Sequence, residues 1–162
     1  MIPSLARAAL GALTATLLAS TPVAQCPFTS LSMQSYGQSC TPVFFGNPPT
    51  LAGSLDVNQC TLDLTVDAFP GCCNTYLTAR LLVLGFQQRA IPVPQIGPGC
   101  TLLVQPIGTF FLLPAGGDTF TLDLPLVPPP FTFQAQAAAF YFTTIGLTVD
   151  AQLTSGQTVT LS

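Results

Sequence analysis

The sequence predicts an all-β fold, a disulfide-stapled antiparallel β-sandwich of immunoglobulin-like or jelly-roll-like type, behind an N-terminal signal peptide. Three observations carry this. Apolar and polar residues alternate over short runs, as in half-buried strands. Sixteen prolines and 13 glycines punctuate the chain, and neither sits in a helix or central strand without cost. Six cysteines all follow an export-type leader, an arrangement read as bridges in an oxidising compartment.

The leader comes first. "MIPSLARAALGALTATLLASTPVAQC" has one positive residue, Arg7, then the apolar run Ala8 to Ala19, then small residues. That is the layout of a secretory signal, and the run is shorter than the roughly 20 residues a spanning helix needs. Cleavage is expected after Ala24, giving a signal peptide over 1-24, a lead-in over 25-35 and one sandwich domain over 36-162. A lipid anchor on Cys26 is disfavoured because Gln25 precedes it. The expected location is secreted or cell surface, with no transmembrane segment in the mature chain.

The strands follow in order. In "CTLDLTVD", Cys60, Leu62, Leu64 and Val66 share one face, and Thr61, Asp63, Thr65 and Asp67 the other. "FTLDL" places Phe120, Leu122 and Leu124 inside. "LTVDAQL" places Leu147, Val149, Ala151 and Leu153 inside, with Thr148, Asp150 and Gln152 outside. "TVTL" adds Val159 and Leu161. "FQAQAAAFYF" mixes helix-favouring alanines with strand-favouring aromatics. It reads as a long strand, buried at its centre. Between these runs lie "GNPPT", "FPG", "IPVPQIGPG", "LPAGG" and "LPLVPPP", the turn spacing of a sandwich. Strands Cys60–Asp67 and Tyr76–Leu84 are expected to flank a turn at Phe69–Asn74 as a hairpin.

Composition narrows function mainly by exclusion. The chain has no histidine, lysine, glutamate or tryptophan, and its acids are Asp56, Asp63, Asp67, Asp118, Asp123 and Asp150. Loss of the leader leaves only Arg80 and Arg89 as cations. Nucleic acid and anionic lipid both need clustered basic residues. Histidine triads and lysine nucleophiles are absent. A carboxylate pair remains, with Asp118 and Asp123 the least implausible, but a turn cap and an outward strand residue explain them. Outward aspartates suit solubility and edge protection better than a calcium loop. Phosphate-cradling glycine loops are missing. No enzyme activity, cofactor or metal is therefore expected.

Cys72 and Cys73 are neighbours in "DAFPGCCNTY". Zinc and redox pairs favour C-x-x-C spacing, which is absent. Adjacent side chains in extended backbone point apart, so each of the two is expected to bond a separate partner. One would tether Cys26 and the other would take Cys60; a bond between Cys72 and Cys73 is the alternative. Two aromatic pairs, Phe44–Phe45 and Phe110–Phe111, put a ring on each face of a strand and form the candidate contact surface.

Several motifs resemble a family of secreted domains abundant in planctomycete bacteria, whose members run from "YGxGC" through "hhLLG" to "GCTLLV" and a closing "VTL" strand. The matching residues are Tyr36, Gly37 and Cys40, then Leu51, Gly53, Leu55 and Pro70. "LLVLGF" (Leu81 to Phe86), "GPGCTLLV" (Gly97 to Val104), "FQAQAAAF" and "LTSGQTVTL" follow in order. The match spans Ser35 to Ser162. Ser39 replaces the second glycine of the opening motif. The resemblance implies an exported β-rich module and a bridge between Cys40 and Cys100; the four further cysteines then make two more bridges. It carries no activity and no catalytic residues. The expected role is a non-catalytic extracellular structural or interaction module of the cell envelope or matrix. Its partner would be an extracellular protein or polysaccharide, or a second copy through a strand edge. The alternative is a carbohydrate-binding module using the end loops of the sandwich.

Overall fold

The computed structural model describes residues 25–41, 47–71 and 73–162. The leader, Phe44, Phe45 and Cys72 lie outside these described residues. Eleven strands follow in order among them. They are β1 (Leu31–Tyr36), β2 (Thr50–Asp56), β3 (Thr61–Asp67), β4 (Thr75–Gly85), β5 (Gln88–Pro92) and β6 (Thr101–Val104). After these come β7 (Gly108–Leu112), β8 (Thr119–Asp123), β9 (Phe131–Thr143), β10 (Thr148–Leu153) and β11 (Gly156–Leu161). The protein is all-β, with antiparallel sheets.

A large sheet has the order β1-β11-β9-β4-β7, with β10 also on β9; a small one has the order β2-β3-β8. Their facing sides make the main core. Leu62, Leu64 and Val66 of β3 are fully buried against Leu82, Ala135, Ala137, Val159 and Leu161 of the large sheet. The alternation in "TLDLTV" therefore marks the buried side as expected. The ambiguous alanine run is one long strand, β9. Its alanines leave room for a layer on each side: Ala135 and Ala137 face the small sheet, while Ala138 packs with Cys100 and Leu153 on the outer side.

β5 and β6 form a separate ribbon, laid on that outer side. Buried Gln136 of β9 holds it there. Its Oε1 accepts from the Leu103 amide at 2.7 Å, and its Nε2 donates to the carbonyls of Thr154 (2.9 Å) and Thr101 (3.3 Å). One side chain thus supplies the backbone partners that a neighbouring strand would otherwise provide. Thr154 sits where the register of β9 shifts by one residue between β10 and β11, from Leu153↔Ala138 to Gln157↔Ala135. Its backbone N–H and its hydroxyl bond Ala137 across this bulge.

The expected hairpin between the strands at 60–67 and 76–84 does not form. β3 belongs to the small sheet and β4 to the large one, so the segment between them crosses the sandwich. Both strands carry a core face, and burying each against the other sheet removes more apolar surface than pairing them edge to edge. Within "LTVDAQL", Ala151 and Leu153 are buried, but Leu147 and Val149 are exposed (76% and 67%), and Gln152 is fully buried. The period of two is correct. The odd positions face the ribbon side, and the ribbon covers only the far end of β10. Gln152 is paired with Ala139 and shares its core-facing side.

Disulfides join Cys26 to Cys60 and Cys40 to Cys100, with Cα separations of 5.0 and 5.3 Å. The second is the pair the resemblance implies. The first replaces the expected tether of Cys26 to the 72–73 turn. Phe28 is fully buried in the sandwich core, and this draws Cys26 to the turn before β3, where Cys60 has φ 55°. Cys73 is exposed and unbonded, so it does not take the separate partner expected of it. The thiol that a lipid on Cys26 would need is occupied by Cys60.

Candidate functional site

The two long sides of the sandwich differ. On one side β1 lies against β2. A Cβ built on Gly53 would fall 2.7 Å from Met33 Sδ, so glycine there allows close approach, and the Cys26–Cys60 bond ties this side further. On the other side the edge strands are β7 and β8, and a groove of about 210 Å³ opens between them. It is lined by Phe86, Ile107, Phe110, Leu122, Leu124 and Phe131, among others. Asp123 is the charged residue at its rim.

Phe110 and Phe111 sit side by side on β7, 42% and 66% exposed. Phe110 pairs with Leu82 and enters the groove; Phe111 pairs with Leu81 and stacks on Phe140 on the outer face, at 6.3 Å. One ring per face is what a period of two requires. Phe86 and Ile107 extend the exposed apolar surface at the groove. Sequence reasoning singled out the Phe pair but missed these two. They lie in the connections flanking the ribbon, where no alternation marks a face.

A second row crosses the outer face, from exposed Tyr76 on β4 through half-buried Phe142 on β9 to exposed Val149 on β10. Tyr141 is buried in the core, where burial pushes its phenol pKa up and the charge of Arg80 partly offsets this. Tyr36 covers Gly156 of the adjacent strand and donates its hydroxyl to the Leu103 carbonyl at 3.1 Å. Burial raises its pKa to about 12.

No aspartate is buried among the described residues. Asp118 accepts from the Thr119 hydroxyl at 3.0 Å, and Asp123 lies at the far end of β8 beside the groove. Asp63 accepts from Thr121 across the β3–β8 pair at 2.6 Å. Asp56 caps the β2–β3 turn through the amides of Asn58 and Gln59. Among the described residues no three His, Cys, Asp or Glu side chains gather into a metal-binding group, and no helix is long and apolar enough to cross a membrane.

One end of the sandwich has a different character. The start of β2 and the end of β3 meet there, at the pair Thr50↔Asp67. Asn47, Thr50, Asp67 and the partly exposed ring of Phe69 line an open pocket of about 400 Å³. With the geometry in hand, comparison adds no relative: no protein-family model, curated protein or solved structure matches the chain.

Proposed function

We propose that the protein is a non-catalytic extracellular structural or interaction module of the cell envelope or matrix, and that it makes its contacts through the open seam between β7 and β8. The observation that carries this is the pair of exposed rings on one edge strand, Phe110 and Phe111, with Phe86 and Ile107 beside them. Edge strands offer unpaired backbone groups, and adjacent apolar side chains supply the rest of a contact. The two disulfides suit life outside the reducing cytoplasm. The motifs shared with secreted planctomycete domains point the same way. A chain without histidine, lysine or glutamate offers few groups for acid, base or nucleophilic work.

The test compares the native chain with Phe110→Ser/Phe111→Ser in an exporting host. Envelope retention, sedimentation and melting are measured for both. The native chain should be exported and then held at the surface or self-associated. The variant should be released as a monomer that melts alike. Retention in the cytoplasm, or equal behaviour of the two proteins outside it, would sink the proposal.

The end pocket favours a second reading, that of a carbohydrate-binding module. Asp67, Asn47 and Thr50 supply a carboxylate, an amide and a hydroxyl around the Phe69 ring, a combination able to hold a sugar's hydroxyls and its apolar face. Neutral oligosaccharides should then perturb Asp67 and Phe69 in a nuclear magnetic resonance titration. Asp67→Asn should abolish the effect, and a flat titration would remove this reading.

A further inference from the structure

The ribbon covers a cavity that the seam does not involve. Between the ribbon and the outer face of the large sheet lies a space of about 340 Å³. Leu81, Val83, Val93, Ile96, Ala138 and Phe140 are among its lining residues. The wall is mainly apolar. Thr109 stands at its exposed rim, and Gln136 also borders it, but both polar atoms of the Gln136 amide are engaged by Leu103, Thr101 and Thr154. No charged residue lines it. The space opens to solvent past Pro106 and Thr109; partly open apolar pockets of this volume are typical of small-ligand sites.

The cover is also of an unusual kind. β5 and β6 pair with each other and with no strand of either main sheet. Apart from apolar packing, the ribbon is held down by the Gln136 amide, the Tyr36 hydroxyl on Leu103, the Gln88 amide donating to the Thr158 hydroxyl at 3.2 Å, and the Cys40–Cys100 bond. A two-stranded hairpin is marginal by itself, so those links set how firmly the ribbon is held over the pocket.

We propose that this cavity is a binding site for an uncharged hydrocarbon chain, with the β5–β6 ribbon as its cover and the Cys40–Cys100 bond as the cover's tether. A carboxylate or phosphate head group finds no cation in the wall, and a hydroxyl finds no free amide. Discrimination therefore rests on shape and on the absence of charge.

The experiment uses the folded, disulfide-bonded protein and the neutral dye N-phenylnaphthylamine, with decanol as competitor. Saturable one-to-one binding, displaced by decanol, is expected. Ala138→Leu and Val83→Phe fill the space and should remove it, whereas Phe86→Ser in the seam should leave it unchanged. Cys40→Ser/Cys100→Ser should weaken it by loosening the cover; equal affinity in that variant would overturn the tether. Hydrogen exchange on the native chain gives a readout that needs no variant, since decanol should slow exchange of the Leu103 amide. Absence of saturable binding, binding that survives both filling variants, binding lost in Phe86→Ser, or an unchanged Leu103 amide would each overturn the site.

Discussion

At the residue scale, Gln136 does the work of a missing strand. It is fully buried and bonds three backbone groups. Gln136→Leu leaves the Leu103 amide and the Thr154 carbonyl without that partner. An unsatisfied buried group costs about 1–3 kcal/mol, so a loss of roughly that size should appear in urea unfolding, with faster exchange at Leu103. Tyr36 gives a pH dependence. Burial pushes its phenol pKa up to about 12, from the usual 10.0. A raised folded pKa stabilises the protein fully below the unfolded value, and that contribution is lost as pH rises through the folded one. Urea melts across the window from 10 to about 12 should show native stability falling. Tyr36→Phe should lack that part of the fall, and identical pH profiles would refute the assignment. Cys73 should react with maleimide without prior reduction, since it is exposed and unbonded.

At the element scale, two devices join pieces that backbone pairing leaves apart. Arg80 of β4 reaches across the sandwich, donating to the Val66 carbonyl at 3.2 Å and the Gly117 carbonyl at 2.8 Å. Hydrogen bonds from a charged donor contribute about 1.5–3 kcal/mol. Arg80→Met keeps much of the apolar stem, so it should lower stability by about that much without changing the fold seen by circular dichroism. The bridges are the other device. They span sequence separations of 34 and 60 residues, and restricting loops of that order stabilises a domain by about 2–4 kcal/mol each. Their consequences should differ. Losing Cys26–Cys60 frees the segment leading to buried Phe28 and should lower global stability. Losing Cys40–Cys100 should first raise exchange in β5 and β6, with β9 still protected. Uniform exchange throughout the second variant would contradict a separately tethered ribbon.

At the scale of the whole molecule, the sandwich is shut on one side and open on the other. β1, β2 and the Cys26–Cys60 bond close the first side, and the apolar seam of β7 and β8 lies on the second. Gly53→Val tests the closed side. A side chain there meets Met33, Leu31 and Leu64, and overpacking of this kind costs about 1–3 kcal/mol. A destabilised Gly53→Val beside a thermally unchanged Phe110→Ser/Phe111→Ser would show that the closed side carries stability and the seam does not.

The sequence by itself determined the β class, the strand character of the alanine run and the buried side of "TLDLTV", because period and turn chemistry are local properties. The Cys40–Cys100 pair came from motif resemblance rather than from spacing. Only the tertiary structure decided which sheet each strand joins, and with it the partner of Cys26. Alternation says that a strand has two faces, but not what covers either one. Leu147 and Val149 are therefore exposed while Gln152 is buried. The Phe110–Phe111 pair was visible as one ring per face, but the groove beside it was not, since it arises where consecutive strands β7 and β8 end in different sheets and Phe86 and Phe131 join them from other segments. The cavity beneath the ribbon has the same origin: Leu81, Val93 and Phe140 belong to three separate segments, and only packing brings them together.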